Sequence, residues 1–493
     1  MRAPSYGPRA VVPRARTPVL LAAFLVLIVG YGAAIAHRPT MALLVPGLLA
    51  AVVLWPSAGF RLLFVVLGGM LVLGSSSGLS EPKIAYLAGA VLAVAVAVVR
   101  VLEMRSTAAF QECKWLLIFS ATFGGFVAVE GLVAGVGGTQ ASFALRDAAV
   151  YLLFAAVPFL ALDVHASSAR RWLPPFFFAL GVVATLSYAA YFLGVRGLAS
   201  LPFGPVTLVA GGLPIALFAY ASAAAIWHPV WFRWTAVAIG VLALMAATGN
   251  RSALIALVAL PTMLMIHPRW RGKPFRALAG GLALALFVGA ILLGSGRVAR
   301  PNVERLRERF GSILEPGKLP LDQSFRWRAE QTRAAAAVWG DNMVFGAGPG
   351  HLFRWINPLS GEVHADAFTL DSPLVYPAKF GWVGVILLGA LFFAYAQVLG
   401  RRVRTAPTVP VIALVGFGAA GVLGSLFLGS QIEDKAFSFA VMLLLAMSLP
   451  DSSEEPGNQA EGLDQSDRST VASGPLQAWR SRSSTGTNAH SRR

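Results

Sequence analysis

In a chain of 493 residues of which 56% are hydrophobic and only 13% charged, the apolar surface exceeds what the core of a soluble fold can enclose, and a mean hydropathy of +0.68 points to a polytopic membrane protein. The formal net charge of +17 falls largely on Arg and Lys in short connections between apolar blocks, where it sets orientation, and this argues against nucleic acid as its reason. A single cysteine, Cys113, excludes an internal disulfide and a cysteine-based metal cluster.

The apolar blocks run to about 15 to 23 residues, the length a helix needs to cross roughly 30 Å of hydrocarbon, without the short alternating segments of a transmembrane barrel. Residues 1–17 carry Arg2, Arg9, Arg14 and Arg16 and no acid, and are expected in the cytoplasm. The apolar run 18–36 ends in Ala-Ile-Ala, a sequence open to signal peptidase. Its length and the apolar block close behind it favour a retained span. Further spans are expected at 41–58, 62–79, 84–99, 115–135, 148–165, 172–194, 205–227, 231–249, 252–266 and 277–294, then, after a polar segment over 295–373, at 374–397, 409–429 and 436–450. The tail over 451–493, rich in Ser, Gly, Glu and Arg, has little to bury and is expected to be disordered. The expected architecture is an all-α polytopic membrane protein of about fourteen transmembrane helices, in 18–294 and 374–450, with one large extracytoplasmic loop, 295–373, containing short helices.

Basic residues alternate along these connections. Clusters such as Arg100, Arg105 and Lys114, or Arg401, Arg402 and Arg404, fall on one side together with Arg61. The intervening connections hold single residues: Arg38, Lys83, Arg146, Arg196, Arg251 and Lys435. The positive-inside rule then puts both termini in the cytoplasm and the long loop outside.

Charge within spans is costly and by default marks a function. Glu130, Arg146, Asp147, Arg251, Asp371 and Lys379 all belong to the outer half, with Asp163 the main inner candidate. Snorkelling to headgroups is the competing reading for the side chains taken singly. Arg251 sits in Asn-Arg-Ser between two apolar helices with almost no loop, on the side that basic residues avoid; it either caps helix carbonyls or awaits an anion.

Within the loop, 297–310 alternates basic and apolar residues and fits a headgroup-bound helix or a solvated one equally. Ser324 is expected to cap a helix from which Arg326, Arg328 and Arg333 project, ended by Gly340 and Asn342. Gly-Ala-Gly-Pro-Gly, 346–350, reads as a turn more readily than as a phosphate cradle. His351 and His364 lack metal-ligand spacing, so neither a metal nor another cofactor is expected.

Three motifs in this order resemble the bacterial O-antigen ligase and O-antigen polymerase superfamily. They are Asn250-Arg251-Ser252 between two helices, an Arg-bearing helix from Arg328 running through Trp339 and Asn342 into Met343–Gly350 and Phe353, and a closing segment with Asp371, Ser372, Leu374, Gly381 and Gly384. Met343 stands where the family has proline, and Asp371 where its ligases carry histidine, which favours a polymerase or another polyprenyl-linked glycan transferase over lipid A core ligation.

The resemblance implies metal-independent glycosyl transfer from a polyprenyl diphosphate carrier to a glycan or glycolipid acceptor, with inversion, at the outer face of a bacterial cytoplasmic membrane. In that chemistry Arg251 and Arg328, with Arg326 as the neighbouring choice, hold the diphosphate, because guanidinium stays charged and binds phosphate oxygens in pairs. Asp371 is the expected general base and His364 the second choice, while Arg146, Glu130 and Lys379 are secondary polar groups. The rival reading is a transporter or flippase of polysaccharide or lipid-linked sugar, which asks for midplane charges and broken helices.

Overall fold

The computed structural model describes residues 55–72, 81–137, 139–180, 183, 212–227, 323–358, 360–367, 372–428, 432–433 and 435–450. The expected spans at 18–36, 231–249, 252–266 and 277–294, the tail, Arg251 and Asp371 lie outside the described residues.

Those residues are mostly helical: α1 (Ala58–Val72), α2 (Glu81–Glu103), α3 (Ala108–Val136), α4 (Ala141–His165), α5 (Gly212–Trp227), α6 (Gln323–Asp341), α7 (Val375–Thr405), α8 (Val409–Leu428) and α9 (Lys435–Ser448). Four of them, over Lys83–Glu103, Ala108–Val136, Ala141–His165 and Val375–Thr405, are long and apolar enough to cross a membrane. α1, α5, α8 and α9 are shorter but equally apolar. With few polar side chains to solvate, such helices suggest a membrane protein.

α4 is the axis of the packing. In its apolar window 67% of residues are buried, against 22%, 28% and 39% for the other three long helices. It meets α2, α3 and α9, while α3 also meets α7, and α5 packs on α8 and α9. Tyr151, Phe154 and Phe159 on α4 join Phe380, Phe417 and Phe437 in one continuous core.

α4 begins at Ala141, earlier than the expected 148, so Arg146 and Asp147 lie inside the helix and not ahead of it. Arg61, expected in a connection, is likewise inside α1 and fully buried. In both places a partner from another helix compensates the charge, so the polar residue no longer marks a boundary.

The expected helix after Ser324 starts at Gln323 and ends at Asp341. Beyond it, a two-stranded antiparallel hairpin, β1 (Phe353–Ile356) and β2 (Val363–Asp366), departs from an all-α fold. β1 alternates buried and exposed residues, with Phe353 and Trp355 inward, a period that suits a strand. Gly361, at φ 71°, donates its N–H to the Asn357 carbonyl at 2.8 Å and turns the chain. Phe353 packs with Ala335 of α6 and with Val375 and Ala378 of α7 in a second, smaller core.

α7 is not continuous. Gly381 has φ 59° and ψ −166°, which breaks the helix one turn and a half after its start. An unbroken helix would bond Trp382 N–H to the Ala378 carbonyl and Val383 N–H to that of Lys379. The segment 343–348 takes over both ends of both bonds. Ala347 N–H donates to Ala378 O and Gly348 N–H to Lys379 O, each at 2.9 Å; Trp382 N–H donates to Met343 O at 2.9 Å and Val383 N–H to Val344 O at 3.1 Å. A buried backbone group without a partner costs about 1–3 kcal/mol, so break and insertion require each other. A side chain at 381 would stand 2.2 Å from the Val344 carbonyl oxygen, which with the positive φ explains glycine there.

Candidate functional site

The inserted segment ends on a buried ionic cluster. Gly350, also at positive φ, packs so closely on α4 that a Cβ would lie 2.4 Å from the Ala144 nitrogen. Its N–H donates to Asp147 Oδ2 at 2.7 Å. Asp147 Oδ1 accepts from Lys379 Nζ at 2.8 Å, and the same ammonium donates to Glu433 Oε1 at 2.8 Å. Tyr151 OH donates to that Glu433 oxygen at 2.6 Å, and its ring centroid lies 5.6 Å from Nζ.

Each element contributes for a local reason. Asp147 and Tyr151 are one turn apart on α4 and share a face. Lys379 sits in the last turn before the Gly381 break, and Glu433 lies in the turn ahead of α9. Lys379 and Asp147 are buried, at 0% and 3% exposure, so they do not snorkel; pairing offsets the cost of removing them from water. The sequence singles out Lys379 as a charge within a span and Asp147 as a charge just ahead of one, but not Glu433 or Tyr151. Glu433 sits in a short polar connection and reads as solvated, and Tyr151 reads as one more aromatic of an apolar helix.

A second ionic cluster occupies the other end of α4. Asp163 accepts from Arg61 Nε at 3.0 Å and from Arg61 Nη2 at 2.8 and 2.5 Å, while Arg61 Nη1 donates to the Trp55 carbonyl at 2.6 Å. Arg100 of α2 lies 3.6 Å from Asp163. Nearby on the same helix end, the His165 ring meets the Ala446 and Pro450 carbonyls, and Arg402 of α7 pairs with Glu112 of α3 at 2.9 Å.

The other sequence-derived candidates fall around the inserted segment. Arg328 and Arg326, both half-buried, lie on α6. Arg328 stands one turn before Thr332, whose hydroxyl donates to Ser372 Oγ at 3.1 Å, next in sequence to Asp371. His364 is on β2, stacked on Trp355 with ring centroids 4.8 Å apart, its Nε2 3.4 Å from Asn357 Nδ2. Trp355 Nε1 donates to Asp366 and Trp327 Nε1 to Asn357, which ties α6 to the hairpin. Glu130 and Arg146 are half-buried on α3 and α4, and the Glu130 backbone borders Gly348. His351, beside Gly350, meets Phe353 edge-on, and burial lowers its pKa below the ordinary histidine value.

Glycines 346, 348 and 350 all have positive φ, yet their amides are spent on Asn342, Lys379 and Asp147. The segment is therefore a wedge and not a phosphate cradle. No set of His, Cys, Asp and Glu able to hold a metal ion occurs among the described residues.

Fold and site define a mostly helical protein with apolar helices of membrane-crossing length, in which a glycine-rich apolar segment is built into a split helix. No protein-family model and no curated protein matches the chain.

Proposed function

We propose that the chain is a membrane glycosyltransferase of the O-antigen polymerase or ligase type, joining glycans from a polyprenyl diphosphate carrier at the outer face of a bacterial cytoplasmic membrane. In this reading about fourteen helices span the bilayer, both termini are cytoplasmic and 295–373 is extracytoplasmic. The observation that carries it is the interlock of Met343–Gly348 with Ala378–Val383, the segments that bear the resemblance: two motifs some thirty residues apart in sequence form one unit joined by four backbone hydrogen bonds. Arg328 stands on the helix leading into that unit, near Ser372 through Thr332.

The chemistry needs charge stabilisation on a departing diphosphate and removal of a proton from an acceptor hydroxyl. Arg251 and Arg328 serve the first, with Arg326 adjacent. Asp371 serves the second, with His364 as the alternative base. The acceptor oxygen attacks the anomeric carbon, the bond to the diphosphate oxygen breaks, and the proton passes to the base; no metal is needed. Lys379, engaged by Asp147 and Glu433, holds the scaffold and leaves the diphosphate to the arginines. The test is glycan extension by reconstituted protein carrying Arg251→Ala, Arg328→Ala or Asp371→Asn. Losses of about 100-fold or more are expected, the scale of removing one preorganised charge-stabilising group. Near-normal activity in all three well-inserted variants contradicts the assignment.

One observation favours the rival, a transporter of lipid-linked sugar or polysaccharide: α7 is discontinuous and carries a buried ion cluster at the break, a design suited to ion or substrate sites. Vesicles that move lipid-linked sugar without joining sugars would select it.

A further inference from the structure

We infer that the tip of the inserted segment, Met343–Val344–Phe345, together with Trp382, is a lipid-contact surface seated at the boundary between hydrocarbon and headgroups. The three tip side chains are consecutive, apolar and more than half exposed, at 53%, 55% and 56%. Such a run facing water is unfavourable unless something apolar covers it.

The backbone fixes where the run lies. Met343 and Val344 accept hydrogen bonds from Trp382 and Val383, so the tip is held at the level of the first residues after the break in α7. From that level α7 turns an unbroken apolar stripe outward through Trp382, Ile386 and Phe393, each at least half exposed. Counting from Trp382 to Arg401, the first of the basic residues that end the helix, the rise is about 28 Å at 1.5 Å per residue, close to the roughly 30 Å of bilayer hydrocarbon. If Arg401, Arg402 and Arg404 mark one boundary, Trp382 marks the other. Trp382 is half exposed there, as an interfacial aromatic is, and Trp339 of α6 backs it edge-on from the second core, with centroids 5.2 Å apart.

The occupant is therefore the bilayer: acyl chains against Met343, Val344 and Phe345, headgroups level with the Trp382 indole. The segment belongs to the membrane interface and not to a water-borne lid, which restricts anything reaching this edge of the unit to a route along the lipid. The inference stands on side-chain exposure and helix length, and survives failure of the transferase reading.

Single nitroxide labels test it in the full chain. In a Cys113→Ser background, labels at Met343→Cys, Val344→Cys and Phe345→Cys are compared in phosphatidylethanolamine and phosphatidylglycerol vesicles with Phe393→Cys in the stripe and Glu362→Cys on the hairpin turn. Collision with oxygen, which partitions into lipid, is expected to exceed collision with a water-soluble nickel chelate at 343–345 and at 393, and the reverse at 362. Chelate access at 343–345 equal to that at 362 overturns the inference, as does shielding from both reagents, which would mean a protein cover or a second copy. The cysteine-intact chain gives a second measurement: quenching of tryptophan emission by brominated acyl chains is expected to fall on replacing Trp382 with Phe, and no fall overturns the inference.

Discussion

Asp147 and Asp163 stand sixteen residues apart on α4, a rise of about 24 Å, and both are buried, yet they hold different things. Asp163 meets a planar guanidinium edge-on, and every partner of that pair is helix or helix edge: α1 through Arg61, α2 through Arg100, the chain at Trp55. Asp147 divides its oxygens between an ammonium from a split helix and the amide of an inserted loop, and the ammonium reaches on to Glu433. One acid staples helices together; the other seats a segment that the helices alone would not retain. The same residue type is therefore a fold element at one end and a site element at the other, decided by what pairs with it.

The largest effects should come from stripping one charge of a pair. Arg61→Met leaves Asp163 buried and is expected to cost about 3–5 kcal/mol, as is Lys379→Met, read from unfolding in bilayer nanodiscs. The ends then separate. Arg61→Met with Asp163→Leu should recover most of the loss, because a matched apolar pair replaces the two buried charges and the remaining partner, Arg100, is 40% exposed and keeps its water. Lys379→Met with Asp147→Leu should not, since Glu433 stays behind and Gly350 N–H loses its acceptor. Equal recovery at both ends would erase the distinction.

Next comes the break in α7. Gly381→Ala forces a positive φ on a residue with a Cβ and drives it into the Val344 carbonyl, for at least about 1–3 kcal/mol. Gly400→Ala, later in the same helix with open space around it, should be neutral or stabilising by up to about 1 kcal/mol. Tyr151→Phe removes one hydrogen bond to Glu433, which keeps Lys379, and should cost about 1 kcal/mol in the same unfolding measurement.

The smallest effect is one of pH, confined to the loop end. Burial lowers the His351 pKa from 6.5, so the unfolded chain takes up this proton at higher pH than the folded one. The contribution is complete above the unfolded value and is lost as pH falls through it towards the lowered folded value. His351→Asn should flatten that part of the stability curve, and an unchanged slope would remove the histidine from the account.

Much of this was legible in sequence where one physical rule acts alone. Apolar block length marked α3, α7, α8 and α9, and the cost of charge in or at the edge of a span marked Lys379 and Asp147. Legibility failed where tertiary pairing overrides local pattern. Arg61 reads as a positive-inside loop residue because nothing local announces Asp163, a hundred residues on. Gly381 reads as one more residue inside the expected span at 374–397, because no rule of periodicity reveals that the helix's own bonds are made by residues 343–348. Glu433 and Tyr151 carry no signal until the fold brings them to Lys379. The hairpin is four residues a strand, too short for its alternation to stand out in a polar segment.

The measurement that bears most directly on the two-ended account is hydrogen exchange of the peptide covering 343–350 in the reconstituted chain, for the natural sequence, Asp147→Asn and Asp163→Asn. The account predicts a protected segment in the natural sequence, with amides held by Asn342, Ala378, Lys379 and Asp147, whose protection falls in Asp147→Asn and persists in Asp163→Asn. A segment that exchanges freely from the start, or one that loosens equally in both variants, would contradict it.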